Sequence, residues 1–207
     1  MNFKKISVCV ILIGFISCGK NPFSPDTRFM LETPVFESIP FDETSVLWIS
    51  PFGDIPEPGG ITRYHNGIDI GTTNLGSFFS CADGIVTQVE LDTGDGLPGT
   101  NYRIMIKVSS KVQLEYGFEI GGEISEDERR NNIFVSKGER VKTGQYIANL
   151  IALDENIAHV HFCVSEGNNK DICPVDFFSD AAAQKLEEIY DRLARIYDHS
   201  LHPDICR

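Results

Sequence analysis

Apolar residues along this chain fall into short runs rather than long stripes. The runs 46–50, 68–70, 85–91, 102–108, 112–116, 133–135, 146–151 and 160–164 are rich in β-branched and aromatic residues and are separated by Gly, Asp and Asn. Runs of this length between turn-forming residues predict a mainly antiparallel β domain. No repeat at a fixed period accompanies them. A different spacing takes over between Ser179 and about His199, where Leu186, Ile189, Tyr190, Leu193, Ile196 and Tyr197 recur at intervals of three and four. With Ser179 or Asp180 as its cap, this segment is expected to be a C-terminal helix whose apolar stripe packs on the β core.

The N-terminal residues read differently again. Lys4 and Lys5 precede the apolar run 6–16, broken only by Ser7 and Gly14, and Ser17 stands just before Cys18. A membrane-spanning helix needs about 20 apolar residues, so this run is too short to span and reads as an export signal over 1–17. Its end resembles a bacterial lipoprotein signal, which implies that Cys18 becomes the lipidated N-terminus and anchors an exported protein to a membrane of the cell envelope. Residues 18–44 contain Pro22, Pro25, Pro34 and Pro40 among polar residues with no sustained period, as expected of an extended tether.

At 207 residues, 42% hydrophobic and 23% charged, the chain has room for one ordinary core and the composition to fold. The net charge is −12, and −14 without residues 1–17, which hold two lysines and no acid. Such an acidic surface repels phosphate backbones, so no nucleic-acid partner is expected. Beyond Cys9 and Cys18, four cysteines remain: Cys81, Cys163, Cys173 and Cys206. In an oxidising compartment they allow three pairings. A terminal helix that folds back onto the core would bring its tail towards Cys173, which makes Cys173 with Cys206 the expected disulfide, and Cys81 and Cys163 buried thiols.

Two histidine clusters carry the candidate chemistry in a chain with five histidines: His65-Asn66-Gly67-Ile68-Asp69 and His159-Val160-His161. Alternate residues of a strand share a face, so His159 and His161 project together, an arrangement suited to a metal or a proton relay. Gly67 and the flanking Ile68-Asp69-Ile70 argue for a turn entering a strand. Zinc takes nitrogen and carboxylate ligands, and catalytic sites supply three while leaving a fourth position for water. Two histidines and one aspartate meet that requirement.

Around these clusters the sequence resembles the lysostaphin and LytM type of zinc peptidoglycan endopeptidase, the duplicated hybrid motif domain, over roughly residues 45–178. The resemblance is carried in order by Ile-Ser-Pro-Phe-Gly at 49–53, Arg-Tyr-His-Asn-Gly-Ile-Asp-Ile-Gly at 63–71, Gly76, Ala-Asp-Gly-Ile-Val at 82–86, the stretch 135–148, His-Val-His-Phe at 159–162 and Pro-Val-Asp-Phe-Phe at 174–178. It implies a compact antiparallel β-sheet core with a groove, to which residues 179–207 add the C-terminal helix and tail. It also implies one zinc ion held by His65, Asp69 and His161, with His159 as a catalytic histidine, and peptidoglycan peptides as substrate.

The chain departs from that pattern in two places. Where the family has a second catalytic histidine in a Tyr-x-His-Leu segment, the matching residues are Tyr116-Gly117-Phe118-Glu119, which puts Phe118 in the histidine's place and leaves Glu115 or Glu119 as groups able to stand in. The family's Gly-Thr-Gly stretch before His-x-His is replaced by residues 150–158. The expected function is hydrolysis of peptide bonds in bacterial peptidoglycan. The alternative is a catalytically silent zinc-binding relative that binds wall material or regulates another wall hydrolase.

Overall fold

The computed structural model describes residues 33–57, 60–91, 99–197 and 204–206. The export signal, Cys18 and the first part of the tether lie outside these residues. In chain order the elements are β1 (Val46–Ser50), β2 (Gly53–Glu57), β3 (Ile61–His65), β4 (Ile68–Thr72), β5 (Gly76–Phe79), β6 (Gly84–Glu90), β7 (Asn101–Lys107), β8 (Val112–Glu119), α1 (Glu126–Asn131), β9 (Arg140–Val141), β10 (Tyr146–Leu150), β11 (His159–Glu166), β12 (Asn169–Ile172) and α2 (Asp180–Tyr197).

The main sheet runs β1-β4-β11-β8-β7-β6-β9, with β12 added on β11, and every pairing in it is antiparallel. Strict alternation decides its two faces. Along β8, Val112, Leu114, Tyr116 and Phe118 are buried, while Gln113, Glu115 and Gly117 between them are only partly so. β5 and β10 form a second, two-stranded sheet, and its Phe78 meets Phe118 edge-on at 5.5 Å between ring centres. Tyr102 of β7 stacks on Phe118 at 4.4 Å, so the core lies between this small sheet and the apolar face of the large one. The opposite face is left for the site.

The terminal helix forms as its spacing predicts, and Leu186, Ile189, Tyr190 and Leu193 of its stripe are buried. Among the described residues no helix is long and apolar enough to cross a membrane. Four local features differ from the expectations above. Residues 33–44, expected as the end of a tether, are fastened to the core: Phe36 is fully buried, its N–H donates to Phe177 O at 2.7 Å, and Ile39 and Phe41 are buried too. Their apolar side chains outweigh the prolines. The run 133–135 makes a single bridge, Ile133 to Ala148, instead of a strand, and its Phe134 is exposed. Helix α1 was not signalled by apolar spacing but is fixed by a capping box in which Ser125 and Glu128 each satisfy the other's backbone N–H. The β2–β3 hairpin lacks buried alternation and so left no periodic trace, as residues 61–64 of β3 are all exposed.

Candidate functional site

β11 provides the two histidines that alternate onto one face. Val160 and Phe162 point into the core, and His159 and His161 point the other way. Asp69 of β4 pairs directly with His161, and Gly117 of β8 pairs with it from the other side. Directly opposed residues of antiparallel strands share a face, so this register puts Asp69, His161 and Gly117 in one row. His65, at the end of β3, reaches the same place from the β2–β3 hairpin, where it pairs with Gly53.

The donor atoms converge closely. His161 Nδ1 lies 2.8 Å from Asp69 Oδ1, His65 Nε2 lies 3.0 Å from the same oxygen, and the two ring nitrogens are 3.2 Å apart. His65 and Asp69 are buried. On its far side the His65 ring meets the Pro51 carbonyl, with Nδ1 2.7 Å from the oxygen. A carbonyl can only accept, so Nδ1 carries a proton; Nε2 then offers its lone pair to the group when the ring is neutral and donates to Asp69 Oδ1 when the ring is protonated. Three electron-rich atoms facing one another at these distances need a proton or a cation between them. Tetrahedral zinc with bonds of about 2.0–2.2 Å would set its ligand atoms about 3.3 Å apart, close to the spacing found, so His65, Asp69 and His161 form a group able to hold a metal ion.

The charges follow from this packing. Burial works against a protonated His65, but the hydrogen bond and charge of Asp69, with the Pro51 carbonyl, outweigh it and raise the imidazole above its ordinary 6.5. Burial likewise works against the Asp69 carboxylate, yet the hydrogen bonds from His161 and His65 hold it well below the ordinary carboxyl range. Each residue therefore favours a positive charge at the point where the three meet.

His159 stands beside the group rather than in it. Its Nδ1 faces the Ile157 carbonyl at 2.8 Å, which again assigns the proton to Nδ1 and leaves Nε2 open. That Nε2 is 3.6 Å from Asp69 Oδ1 and 3.6 Å from Glu119 Oε2. Glu119 pairs with His159 in the β8–β11 register. Glu115 pairs with Cys163 further along β8, and its Oε1 receives a hydrogen bond from Arg103 at 3.1 Å, so of the two glutamates only Glu119 stands at His159. Cys163, buried on the same strand, is not a member of the three-residue group.

Phe118 corrects the expectation that it flanks the metal group. It pairs with Val160 and is fully buried between Tyr102 and Phe78, on the core side of the sheet. The alternation of β8 decides this: Gly117 and Glu119 face the site, and Phe118 cannot. Trp48 is a site residue that the sequence reading missed. It pairs with Gly71, where a Cβ would come within 2.1 Å of its ring, and its centre is 5.6 Å from that of His159. Its Nε1–H donates to the Glu155 carbonyl at 3.0 Å. The 150–158 segment thus shapes one wall, through Glu155 on Trp48 and Ile157 on His159. Cys173 and Cys206 are disulfide-bonded with Cα atoms 5.9 Å apart, and Cys81 and Cys163 are free and buried.

No protein-family model and no curated protein matches the chain. Among solved structures it is similar to a zinc-containing peptidase from Vibrio cholerae, at 26% identity over 66% of this chain and 38% of that one, with a TM-score of 0.47. It is also similar to Csd3 from Helicobacter pylori, at 21% identity over 81% of this chain and 44% of that one, with a TM-score of 0.47. The catalytic domain of the prophage-encoded M23 protein EnpA from Enterococcus faecalis matches at 21% identity over 68% of this chain and 96% of that one, with a TM-score of 0.44. The chain spans less than half the length of the first two. The chain itself has a mainly antiparallel β architecture.

Proposed function

We propose that this protein is a zinc metalloendopeptidase of the lysostaphin and LytM type that hydrolyses peptide bonds in bacterial peptidoglycan. The observation that carries the proposal is the convergence of His65 Nε2, Asp69 Oδ1 and His161 Nδ1, each pair within 3.2 Å, with the open nitrogen of His159 alongside. Three protein donors of this kind leave a coordination position for water, whereas structural zinc sites are usually closed by four. When bound there, zinc supplies a Lewis acid that polarises the scissile carbonyl and makes water nucleophilic near neutral pH.

The chain's own groups supply the proton handling. His159 Nε2, freed by the Nδ1–H bond to Ile157, takes a proton from the attacking water as the C–O bond forms, and returns it to the leaving amine nitrogen as the C–N bond breaks. Glu119, 3.6 Å from that nitrogen, stands in for the histidine that the family pattern places on β8. Trp48 limits how far the His159 ring can swing. The expected location is the cell envelope, with the domain exported and Cys18 carrying the lipid anchor.

The test is metal content and activity together. The zinc-loaded protein is expected to hold one ion per chain and to cleave a stem-peptide substrate. Alanine at His65, Asp69 or His161 should abolish both, and His159→Ala should abolish cleavage while keeping most of the zinc, as loss of a neighbouring group typically weakens binding only about 10- to 100-fold. Full metal occupancy in the three ligand variants would overturn the assignment. One observation favours a second reading, a silent zinc-bearing module that binds wall material: the β8 positions paired with His159 and His161 offer Glu119 and Gly117 rather than a second imidazole. Zinc binding without cleavage would support it.

A further inference from the structure

We propose that the C-terminal tail is a positioning element of the metal group: the Cys173–Cys206 bridge holds the tail against the Pro51–Phe52 turn, and that turn orients His65. The inference rests on the reading of His65 as a ligand. It follows from an unbroken series of contacts. Cys206 is bonded to Cys173, which lies between β12 and the 3-10 turn Pro174–Phe177. The preceding residue, Ile205, is buried, and its carbonyl accepts the Phe52 N–H at 2.9 Å. Phe52 and Cys206 pair as a parallel bridge. Pro51, next in the chain, gives its carbonyl to His65 Nδ1–H at 2.7 Å. Phe52 also sets its ring edge-on to Tyr64, the neighbour of His65, at 5.8 Å.

The side chains of the turn are buried, Phe52 in the core, and its backbone N–H and C=O groups have few partners. Residues 51 and 52 are all that separate β1 from β2, and Pro51 has no N–H, so its carbonyl is its one polar backbone group, committed to His65. The N–H of Phe52 is committed to the tail. A buried donor is costly to leave without its partner, so a turn deprived of Ile205 relaxes towards water instead of keeping its carbonyl aimed at the imidazole. Chain termini stay ordered only where they are tied down, and here the tie is covalent, across a sequence separation of 33.

The site is then complete only after oxidation. Closing the bridge removes two protons and two electrons from Cys173 and Cys206 by exchange with a carrier disulfide, which leaves as a dithiol. In a reducing compartment the tail is unfastened, the Pro51 carbonyl loses its backing and the group binds metal more weakly. Export would thus mature the site as well as deliver it.

The experiment compares wild type, the Cys173→Ser/Cys206→Ser double variant and a chain ending at residue 204. Two quantities are read: exchange protection of the Phe52 amide and the His65 Nδ1 proton by NMR without metal, and zinc affinity by competition with a chromophoric chelator. Both variants are expected to lose protection at Phe52 and His65 and to bind zinc about 10-fold more weakly, the low end of the loss seen when a ligand's orienting partner is removed. The amides of 160–162 should keep their protection, showing an intact sheet; should the shortened chain lose the sheet, the serine pair decides. Unchanged protection and unchanged zinc affinity in the serine variant would overturn the proposal. If instead wild type takes up no zinc, or His65→Ala binds it as well as wild type, the ligand reading falls, and the bracing contact stands or falls on the exchange data.

Discussion

Gly67→Ala puts a methyl group where the fold has no room for one. The new Cβ would lie 2.5 Å from Cε1 and 2.7 Å from Nε2 of His161, and 2.9 Å from the Phe162 carbonyl oxygen. An ordinary carbon contact is about 3.5 Å, so the imidazole must retreat by about 1 Å. The carbonyl cannot share the movement, because Phe162 is paired with Ile68 on one side and Tyr116 on the other. Overpacking of this kind costs about 1–3 kcal/mol. The functional cost is sharper, since ligand distances tolerate only about 0.2 Å. Zinc affinity is therefore expected to fall at least about 10-fold, equivalent to about 1.4 kcal/mol, and urea unfolding of the metal-free protein should shift by a similar amount. Gly117→Ala is the control on the same face, because its Cβ would meet only ordinary contacts at 3.7 Å. A Gly67→Ala protein with wild-type zinc affinity and stability would refute the placement of the His161 ring against Gly67.

Other outcomes follow from the same geometry. Phe118→His should give no gain in cleavage and should destabilise the fold by about 1–3 kcal/mol, because it buries an imidazole between Tyr102 and Phe78 with no partner supplied; faster hydrolysis by this variant would contradict the side-chain placement. Glu119→Gln should slow hydrolysis by about 10-fold or more with zinc content unchanged, while Glu115→Gln, whose carboxylate serves Arg103, should alter stability more than rate; steady-state kinetics separates the two. The raised His65 value means that its stabilisation of the metal-free fold is fully present below about 6.5 and is lost as pH rises through the folded value, whereas the lowered Asp69 value gives stabilisation present above about 3.8 and lost as pH falls. Urea midpoints in chelator should decline on both sides, and zinc affinity should rise with pH above 6.5 as the metal displaces the His65 proton.

Much of the site was legible because its signals are local. The alternation of His159, Val160 and His161 is a property of any strand, and the structure keeps it. Other features depend on register, which a single sequence does not carry. Nothing in residues 46–50 announces that Trp48 will lie over Gly71 and beside His159, or that the Pro51 carbonyl will fix the His65 tautomer. The orientation of Phe118 is legible in the period of its strand. Val112, Leu114, Tyr116, Phe118 and Ile120 are apolar at every second position, which assigns Phe118 to the core by its period alone. Resemblance to a family pattern pointed to the site instead, and packing sided with the period. Helix α1 had a local signal too, Ser125 followed three residues later by Glu128, but it is short and has a single buried residue, Arg129, so no apolar stripe marks it.

The proposed activity is cleavage of peptide cross-links at this face of the sheet, with zinc held by His65, Asp69 and His161. It is tested most directly by digesting purified peptidoglycan with the zinc-loaded protein and identifying the products by mass, with His159→Ala as the control. The expected result is a set of product pairs from one cross-link or stem bond, one fragment carrying the newly exposed carboxylate and the other the newly exposed amine, absent from the His159→Ala digest and from the chelated enzyme. An intact wall after digestion by protein that holds one zinc per chain would contradict it.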